Sequence, residues 1–259
     1  MAESISAIKE VLEHTKEEEL GAFCEAYAFD ERAGVQNLIK KAKKQMEALE
    51  AEKQRIALLW TYEKQYPDCE LICGIDEVGR GPLAGPVVAG AVILPKDCKI
   101  LYINDSKKLS EKKREELYDV IAKEAVSAAV GVVSPKRIDE INILQATYEA
   151  MRQAIKNLSV TPDILLNDAV TIPQVEIPQV PIIKGDAKSI SIGAASIYAK
   201  VTRDRMMVEY ATLYPGYEWE KNKGYGSNAH YEGIRKYGIT PIHRLSFLKK
   251  MQEDEGIIF

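Results

Sequence analysis

The chain has 259 residues, of which 46% are hydrophobic and 29% charged, a balance that excludes wholesale disorder and predicts a globular protein with a buried core. It contains no apolar run of 18 residues and no basic, apolar leader at its start, so we expect no membrane span and no secretion signal. Four cysteines are too few for a disulfide scaffold, which predicts free thiols and a cytoplasmic protein, and the net charge of -4 gives no bulk attraction to nucleic acid.

The first part of the chain has the apolar periodicity of helices. Apolar residues recur at helical spacing between positions 5 and 12 and again between positions 35 and 49. Pro67 and Asp68 end that pattern, and glycine is rare before residue 74 and frequent after it. We therefore predict a helical N-terminal extension over residues 1–68 and a main domain over residues 69–259.

From residue 71 onward, strands and helices alternate. Apolar runs bounded by turn residues predict strands at 71–75, 87–94, 128–133, 164–167 and 179–183. Helical spacing predicts helices at 110–124, 141–155 and 187–207. The order β-β-α-β-α-β-β-α indicates an α/β domain with a mixed sheet, because a plain dinucleotide-binding unit does not begin with a hairpin.

Two adjacent carboxylates, Asp76 and Glu77, end the first predicted strand. Charge at the end of an apolar strand is costly unless a cation compensates it, and a divalent metal would do so; solvated acids at an exposed strand end are the alternative. The glycine-rich stretch that follows, residues 79–85, does not have the spacing of a dinucleotide-binding loop, and a strand rather than a helix comes after it. Glycines on both sides of Arg80 instead allow a ligand to approach the backbone closely.

Two further aspartates follow predicted strands. Asp168 ends the strand at 164–167, and Asp186 lies between the last strand and the long helix. Either aspartate alone suits a turn or a helix N-cap. Together with Asp76 and Glu77 they form a set of hard oxygen donors at strand ends, which suits magnesium or manganese better than zinc.

A series of motifs resembles ribonuclease HII. In chain order they are GIDEVGRGPLAGPVVAGAVIL, DSKKL, LLND, KGDAKSISIGAASIYAKVTRDR, NKGYGSNAH and HRLSF, which together cover about residues 71–248. The resemblance implies a ribonuclease H-like mixed β-sheet flanked by helices, with an N-terminal helical extension and a C-terminal helical segment. It also implies an endoribonuclease that hydrolyses the RNA strand of RNA–DNA hybrids and incises on the 5′ side of single ribonucleotides in duplex DNA. The products would carry 3′-hydroxyl and 5′-phosphate ends, and the cellular roles would be ribonucleotide removal and RNA primer processing.

The resemblance assigns roles to individual residues. It makes four carboxylates the catalytic ligands of two divalent ions, Mg²⁺ or Mn²⁺, in a two-metal hydrolysis: Asp76, Glu77, Asp168 and Asp186. It makes Gly79, Arg80 and Gly81 the loop that reads the 2′-hydroxyl of the ribonucleotide, the group that distinguishes RNA from DNA. Tyr225 would pack on the following deoxyribose, with ordinary packing as the alternative.

Basic residues beside these motifs are interpreted as contacts to the phosphate backbone: Lys107, Lys184, Lys200 and Arg203. Lys200 and Arg203 are separated by about one helical turn and share a helix face, and a solvated face is the alternative for each of them. Two positions depart from the family pattern, namely Asn167 where an aliphatic residue is usual and Gly193 where alanine or serine is commoner.

Two competing interpretations remain open. A ribonuclease HIII-like nuclease without junction preference is the close competitor, although Gly-Arg-Gly after Asp-Glu favours HII. A non-catalytic module that binds hybrids is the other, and the complete set of four carboxylates argues against it. The expected partners are RNA–DNA hybrid and ribonucleotide-containing duplex DNA, and we expect a monomer. The tail at 251–259 weakly resembles a sliding-clamp-binding segment, with a frayed end as the alternative.

Overall fold

The computed structural model describes residues 3–255. The chain divides into two compact units, one that ends at Leu58 and one that begins at Leu59. This division lies ten residues before the boundary that composition predicts at 68/69. No helix in the described part of the chain is long and apolar enough to cross a membrane.

The first unit is helical, as its periodicity predicts. It contains α1 (Ile5–His14), a 3-10 turn (Glu17–Glu19), α2 (Leu20–Ala26) and α3 (Ala33–Leu59), all but the last residue of which belongs to this unit. The hydroxyl of Ser4 caps α1 by accepting a hydrogen bond from the backbone N–H of Ala7 at 3.2 Å. The apolar faces of the three helices form one core, which includes Ile8, Leu12, Phe23, Val35 and Ala42.

The second unit contains the α/β domain and follows the predicted order of elements. After a 3-10 turn (Glu63–Gln65) come β1 (Ile72–Val78), β2 (Val87–Ile93), α4 (Glu111–Glu124), β3 (Ser127–Val133), α5 (Pro135–Lys156), β4 (Ile164–Asp168) and β5 (Gln179–Ile182). A 3-10 turn (Gly185–Ala187) then leads to α6 (Ile190–Leu213), and the C-terminal helical segment consists of α7 (Trp219–Asn222), α8 (Asn228–Tyr237) and α9 (Leu245–Glu255).

The five strands form one mixed sheet in the order β3-β2-β1-β4-β5. Strand β1 pairs antiparallel with β2 and parallel with β4, and β4 pairs parallel with β5. Helix α5 packs against β2 and β3, and α6 packs against β1 and β2. The mixed sheet flanked by helices is the predicted fold class.

Several predicted boundaries differ from the structure: the helix predicted at 187–207 is α6 at Ile190–Leu213, and two other differences have a clear reason. Strand β1 continues to Val78, three residues beyond the predicted end, because its antiparallel pairing with β2 extends to Val88. The helix predicted at 141–155 is the second part of α5, which begins at Pro135 and is interrupted at Asn142, where φ is +67°. The Asn142 side chain accepts hydrogen bonds from the N–H groups of the next turn and so caps the second part.

Helix α6 lies directly on the sheet because two strand positions have no side chain. A Cβ at Gly74 would lie 2.0 Å from the carbonyl carbon of Ser191, and one at Gly90 would lie 2.4 Å from the carbonyl oxygen of Ala195. Only glycine permits this approach of backbone to backbone. The contact at Gly74 also fixes the distance between α6 and Asp76, two residues further along β1.

Candidate active site

The end of β1 carries two carboxylates in a largely desolvated position. Asp76 is 7% exposed, and its Oδ1 accepts a hydrogen bond from the N–H of Glu77 at 2.8 Å. Burial and the neighbouring Glu77 carboxylate raise the pKa of Asp76 well above its usual range, against a hydrogen bond from Ser196. Burial also raises the pKa of Glu77, although Arg80 lies 3.4 Å from its Oε1 and lowers that pKa in part.

The register of the sheet brings Asp168 beside Asp76. Ile75 pairs with Asn167 across the parallel strands β1 and β4, so the residues that follow them, Asp76 and Asp168, lie at the same edge of the sheet. Asp168 Oδ1 accepts a hydrogen bond from the N–H of Gly185 at 2.7 Å, which places Asp186 next to it. Burial, followed by the charges of Asp105 and Asp168, raises the pKa of Asp186.

The four carboxylates share this edge without closing around one point. Among residues 3–255, no group of three or more His, Cys, Asp or Glu side chains is arranged closely enough to hold a metal ion. The donors fit Mg²⁺ or Mn²⁺ in kind, because all are carboxylate oxygens. The pKa values of Asp76, Glu77 and Asp186 are raised, which indicates that protein groups compensate the negative charge of these three carboxylates poorly, a cost that a divalent cation would remove.

The predicted substrate-reading loop begins directly after β1. Gly79 adopts a φ of +87°, and Arg80 and Gly81 are exposed. A Cβ at Gly81 would lie 3.6 Å from Cε1 of Tyr225, a residue that is 48% exposed. The structure therefore places Tyr225 beside the loop and at the surface.

Arg203 does not lie at the surface, where it could contact the phosphate backbone as predicted. Its side chain is fully buried, and its guanidinium donates to the carbonyl oxygens of Pro86 and Lys223 at 2.9 Å and of Ala84 at 3.2 Å. The predicted phosphate contact is wrong for this residue because these carbonyls occupy its donors. Arg244, which sequence reasoning missed, is also fully buried and donates to the carbonyls of the same loop.

The three predicted lysines differ in their surroundings. Lys200 is paired with Asp204, with its Nζ 2.6 and 2.7 Å from the two carboxylate oxygens and with 17% of its side chain exposed, and its phosphate contact stays a prediction. Lys107 is exposed and close enough to Glu77 and Asp186 to lower the pKa of both. Lys184 is exposed immediately before Gly185, with a φ of +58°.

Two buried histidines support the segment that carries Tyr225. His230 Nδ1 donates to the carbonyl of Tyr225 at 2.9 Å, and His230 Nε2 accepts from Trp219 Nε1 at 3.0 Å. The backbone N–H of Thr240 donates to His243 Nδ1, so His243 Nε2 carries the proton that it shares with His230 at 3.1 Å. Burial and the neighbouring His230 lower the pKa of His243 to about 4, which keeps this ring neutral.

The two departures from the family pattern have structural reasons. Asn167 is fully buried and points away from the carboxylates, and its Nδ2 donates to the Val170 carbonyl at 3.1 Å and to Gln179 Oε1 at 2.9 Å. Asn167 therefore stabilises the segment between β4 and β5 through hydrogen bonds. A Cβ at Gly193 would lie 2.9 Å from Cγ2 of Ile103, so this position has little room for a side chain.

The apolar end of the predicted clamp-binding tail lies outside the described residues. Helix α9 covers the tail up to Glu255, and residues 256–259 follow it.

Comparison with known proteins gives one consistent result. The chain matches the family model of ribonuclease HII over residues 73–250 and that of the ribonuclease HII N-terminal domain over residues 4–67. It is 63% identical over 247 residues to ribonuclease HII of Lachnoclostridium phytofermentans, with 93% of this chain and 97% of that relative covered.

Two solved structures are similar to the chain. One is ribonuclease H2 from Pyrococcus horikoshii OT3, with a TM-score of 0.58, 29% identity, and 71% of this chain and 98% of that chain covered. The other belongs to the PCNA:RNase HII complex from Archaeoglobus fulgidus, with a TM-score of 0.56, 28% identity, and 68% of this chain and 94% of that chain covered.

Proposed function

The chain belongs to the ribonuclease HII family and is a ribonuclease, and from this premise we propose that it incises duplex DNA on the 5′ side of a single embedded ribonucleotide. The RNA strand of RNA–DNA hybrids is its broader substrate. The cut leaves a 3′-hydroxyl and a 5′-phosphate. The observation that carries the proposal is the Gly79–Gly81 loop, exposed at Arg80 and Gly81, which follows the carboxylates at the end of β1 and lies beside the exposed Tyr225.

The four carboxylates at the sheet edge are the proposed ligands of two divalent ions, Mg²⁺ or Mn²⁺: Asp76, Glu77, Asp168 and Asp186. Such ions, when bound, activate a water molecule and stabilise the leaving oxygen. Calorimetric titration with Mn²⁺ tests the ligands without relying on cleavage. We expect Asp168→Asn to weaken Mn²⁺ binding strongly. The control is Asp163→Asn, which should leave Mn²⁺ binding unchanged, because the Asp163 carboxylate accepts hydrogen bonds from the N–H groups of Glu70 and Leu71.

The other residues of the site hold the nucleic acid. The exposed backbone of Arg80 and Gly81 offers donors to the 2′-hydroxyl, and Tyr225 offers an apolar ring to the neighbouring sugar. Lys107 and Lys184 are the proposed phosphate contacts because both are exposed at the edge that carries Asp186. A few cations close to the substrate outweigh the net charge of -4, because screening limits distant charges to about 8–10 Å.

The substrate preference separates this proposal from its competitors. The experiment compares initial rates on a DNA duplex with one ribonucleotide and on a duplex with one all-RNA strand of the same sequence. We expect cleavage of both, with the single ribonucleotide sufficient for incision. A ribonuclease HIII-like enzyme would cleave only the all-RNA strand, and a non-catalytic module would bind both duplexes without cleaving either.

The proposed cellular setting follows from this activity. We place the protein in the cytoplasm, as a monomer that removes ribonucleotides from DNA and processes RNA primers. A weak sliding-clamp contact through residues 251–259 is supported by the similar archaeal protein, which was solved in a complex with PCNA. Surface plasmon resonance with the bacterial clamp tests this contact, and loss of binding on removal of residues 251–259 is the expected result. Sedimentation that shows a dimer at every concentration would contradict the monomer.

A further inference from the structure

Two buried arginines lie behind the loop of residues 79–86. Arg203 and Arg244 have no exposed surface, and no carboxylate of the described residues lies within ion-pair distance of either guanidinium. Their N–H groups donate instead to backbone carbonyls, through seven hydrogen bonds of 2.6 to 3.2 Å. Burial lowers the pKa of Arg203 to about 10 and that of Arg244 to about 9, so both remain charged at neutral pH.

Arg244 fixes the direction of two successive peptide groups. Its Nη2 donates to the carbonyl of Gly79 at 2.6 Å, and its Nη1 donates to the carbonyl of Arg80 at 2.9 Å. Successive carbonyls point to opposite sides in an extended strand, so this arrangement requires a turn, which the φ of +87° at Gly79 supplies.

The N–H of a trans peptide points away from the carbonyl of the same peptide, and the described chain has no cis peptide. The N–H groups of Arg80 and Gly81 must therefore point away from Arg244, toward the exposed side of the loop. Neither N–H donates to an acceptor among residues 3–255. The loop thus presents two adjacent free donors, an arrangement that suits an oxygen acceptor.

Arg203 connects this loop to the segment that carries Tyr225. It donates to Ala84 and Pro86 on one side and to Lys223 on the other. A Cβ at Gly79 would lie 2.2 Å from its Nε, so the guanidinium packs directly against the loop backbone. Arg203 therefore helps to set the separation between the two free N–H groups and the Tyr225 ring, together with the N–H groups of Leu83 and Ala84, which donate to the Gly224 carbonyl at 2.9 and 3.3 Å.

We propose that Arg244 and Arg203 are positioning residues for ribonucleotide recognition, which hold the loop so that the N–H groups of Arg80 and Gly81 donate to the 2′-hydroxyl oxygen. This inference rests on the proposed function and adds the residues that determine its specificity. We expect lysine to replace neither arginine, because its three donors share one nitrogen and cannot reproduce the separate positions of Nε, Nη1 and Nη2.

Binding without cleavage tests the proposal. Fluorescence anisotropy in EDTA compares two DNA duplexes that differ by a single 2′-hydroxyl, for the wild type, Arg244→Lys, Arg203→Lys and the control Arg205→Lys. Arg205 lies on the same helix as Arg203, but it is exposed and pairs with Glu115. We expect the wild type and the control to bind the ribonucleotide duplex about tenfold more tightly than the all-DNA duplex, because one or two additional hydrogen bonds contribute a preference of that size. Arg244→Lys should bind both duplexes about equally.

A second measurement uses the unaltered protein, in case the variants do not fold. In ¹⁵N NMR spectra, the amide signals of Arg80 and Gly81 should shift more with the ribonucleotide duplex than with the all-DNA duplex. The inference is overturned if those amides respond equally to both duplexes, or if a folded Arg244→Lys keeps the wild-type preference. A wild type that does not distinguish the duplexes would overturn the proposed function as well, whereas loss of the preference in Arg244→Lys alone supports both.

Discussion

Replacing Glu63 with alanine should destabilise the second unit, because this buried carboxylate holds the start of α6. Glu63 is 4% exposed, and its Oε1 accepts from the hydroxyl of Ser189 at 2.6 Å and from the N–H of Ser191 at 3.1 Å. The Ser189 hydroxyl oxygen already accepts from the N–H of Ile192, so its proton has Glu63 as its partner. Both donors are buried, and alanine would leave both without an acceptor.

The expected loss follows from these two donors. An orphaned buried donor costs about 1–3 kcal/mol, and water entering the space left by the side chain would recover part of it, which gives about 2–4 kcal/mol. For a unit of this size, that corresponds to a fall in melting temperature of roughly 4–16 °C.

Differential scanning calorimetry of Glu63→Ala measures the loss, with Lys64→Ala, an exposed neighbour in the same turn, as the control. A Glu63→Ala variant that melts at the same temperature as the control would contradict this expectation. That result would mean that the residues before β1 do not support α6.

Three further predictions concern charge and packing. Asp76→Asn should abolish cleavage and raise the melting temperature of the metal-free protein, since it removes a buried charge. Burial raises the folded-state pKa of Asp76, so the metal-free wild type should lose stability as pH rises above about 4. Urea unfolding should show a smaller loss of stability over the same pH range in Asp76→Asn. Gly74→Ala should cost about 1–3 kcal/mol or more, because its Cβ would lie 2.0 Å from the backbone of Ser191; an unchanged urea midpoint would contradict that contact. The pKa of His243 is lowered to about 4, so its contribution to stability is lost as pH falls from about 6.5 toward 4. His243→Gln should therefore destabilise the protein by about 2 kcal/mol less at pH 5 than at pH 7, and an equal effect at both pH values would be inconsistent with a neutral buried ring.

The order of strands and helices in the second unit could be predicted because its signals are local. Each strand is an apolar run between turn residues, and Ser110 and Ser189 cap α4 and α6. The extension of β1 to Val78 could not be predicted, because it depends on pairing with β2 rather than on the apolar run itself. The position of the carboxylates at strand ends could be predicted from the sequence. Their orientation relative to one another could not, because it depends on the sheet register.

The roles of the buried arginines could not be read from the sequence. Lys200 and Arg203 lie at a spacing that is typical of a solvated helix face, since charged side chains are seldom buried. Apart from that of Lys223, the carbonyls that accept from Arg203 and Arg244 belong to a loop more than 100 residues away in the chain, so no local pattern indicates them. For Arg244, the only signal was its place in the HRLSF motif.

The position of the cut shows whether the enzyme incises on the 5′ side of a ribonucleotide. A DNA duplex with one ribonucleotide, labelled at the 5′ end of that strand, is incubated with the protein and Mg²⁺, Mn²⁺ or EDTA, and the product is sized to the nucleotide. We expect one product that ends in a 3′-hydroxyl immediately before the ribonucleotide, formed with either metal and absent in EDTA. A cut at any other position, or a product that forms equally in EDTA, would contradict a metal-dependent enzyme whose Gly79–Gly81 loop reads the 2′-hydroxyl.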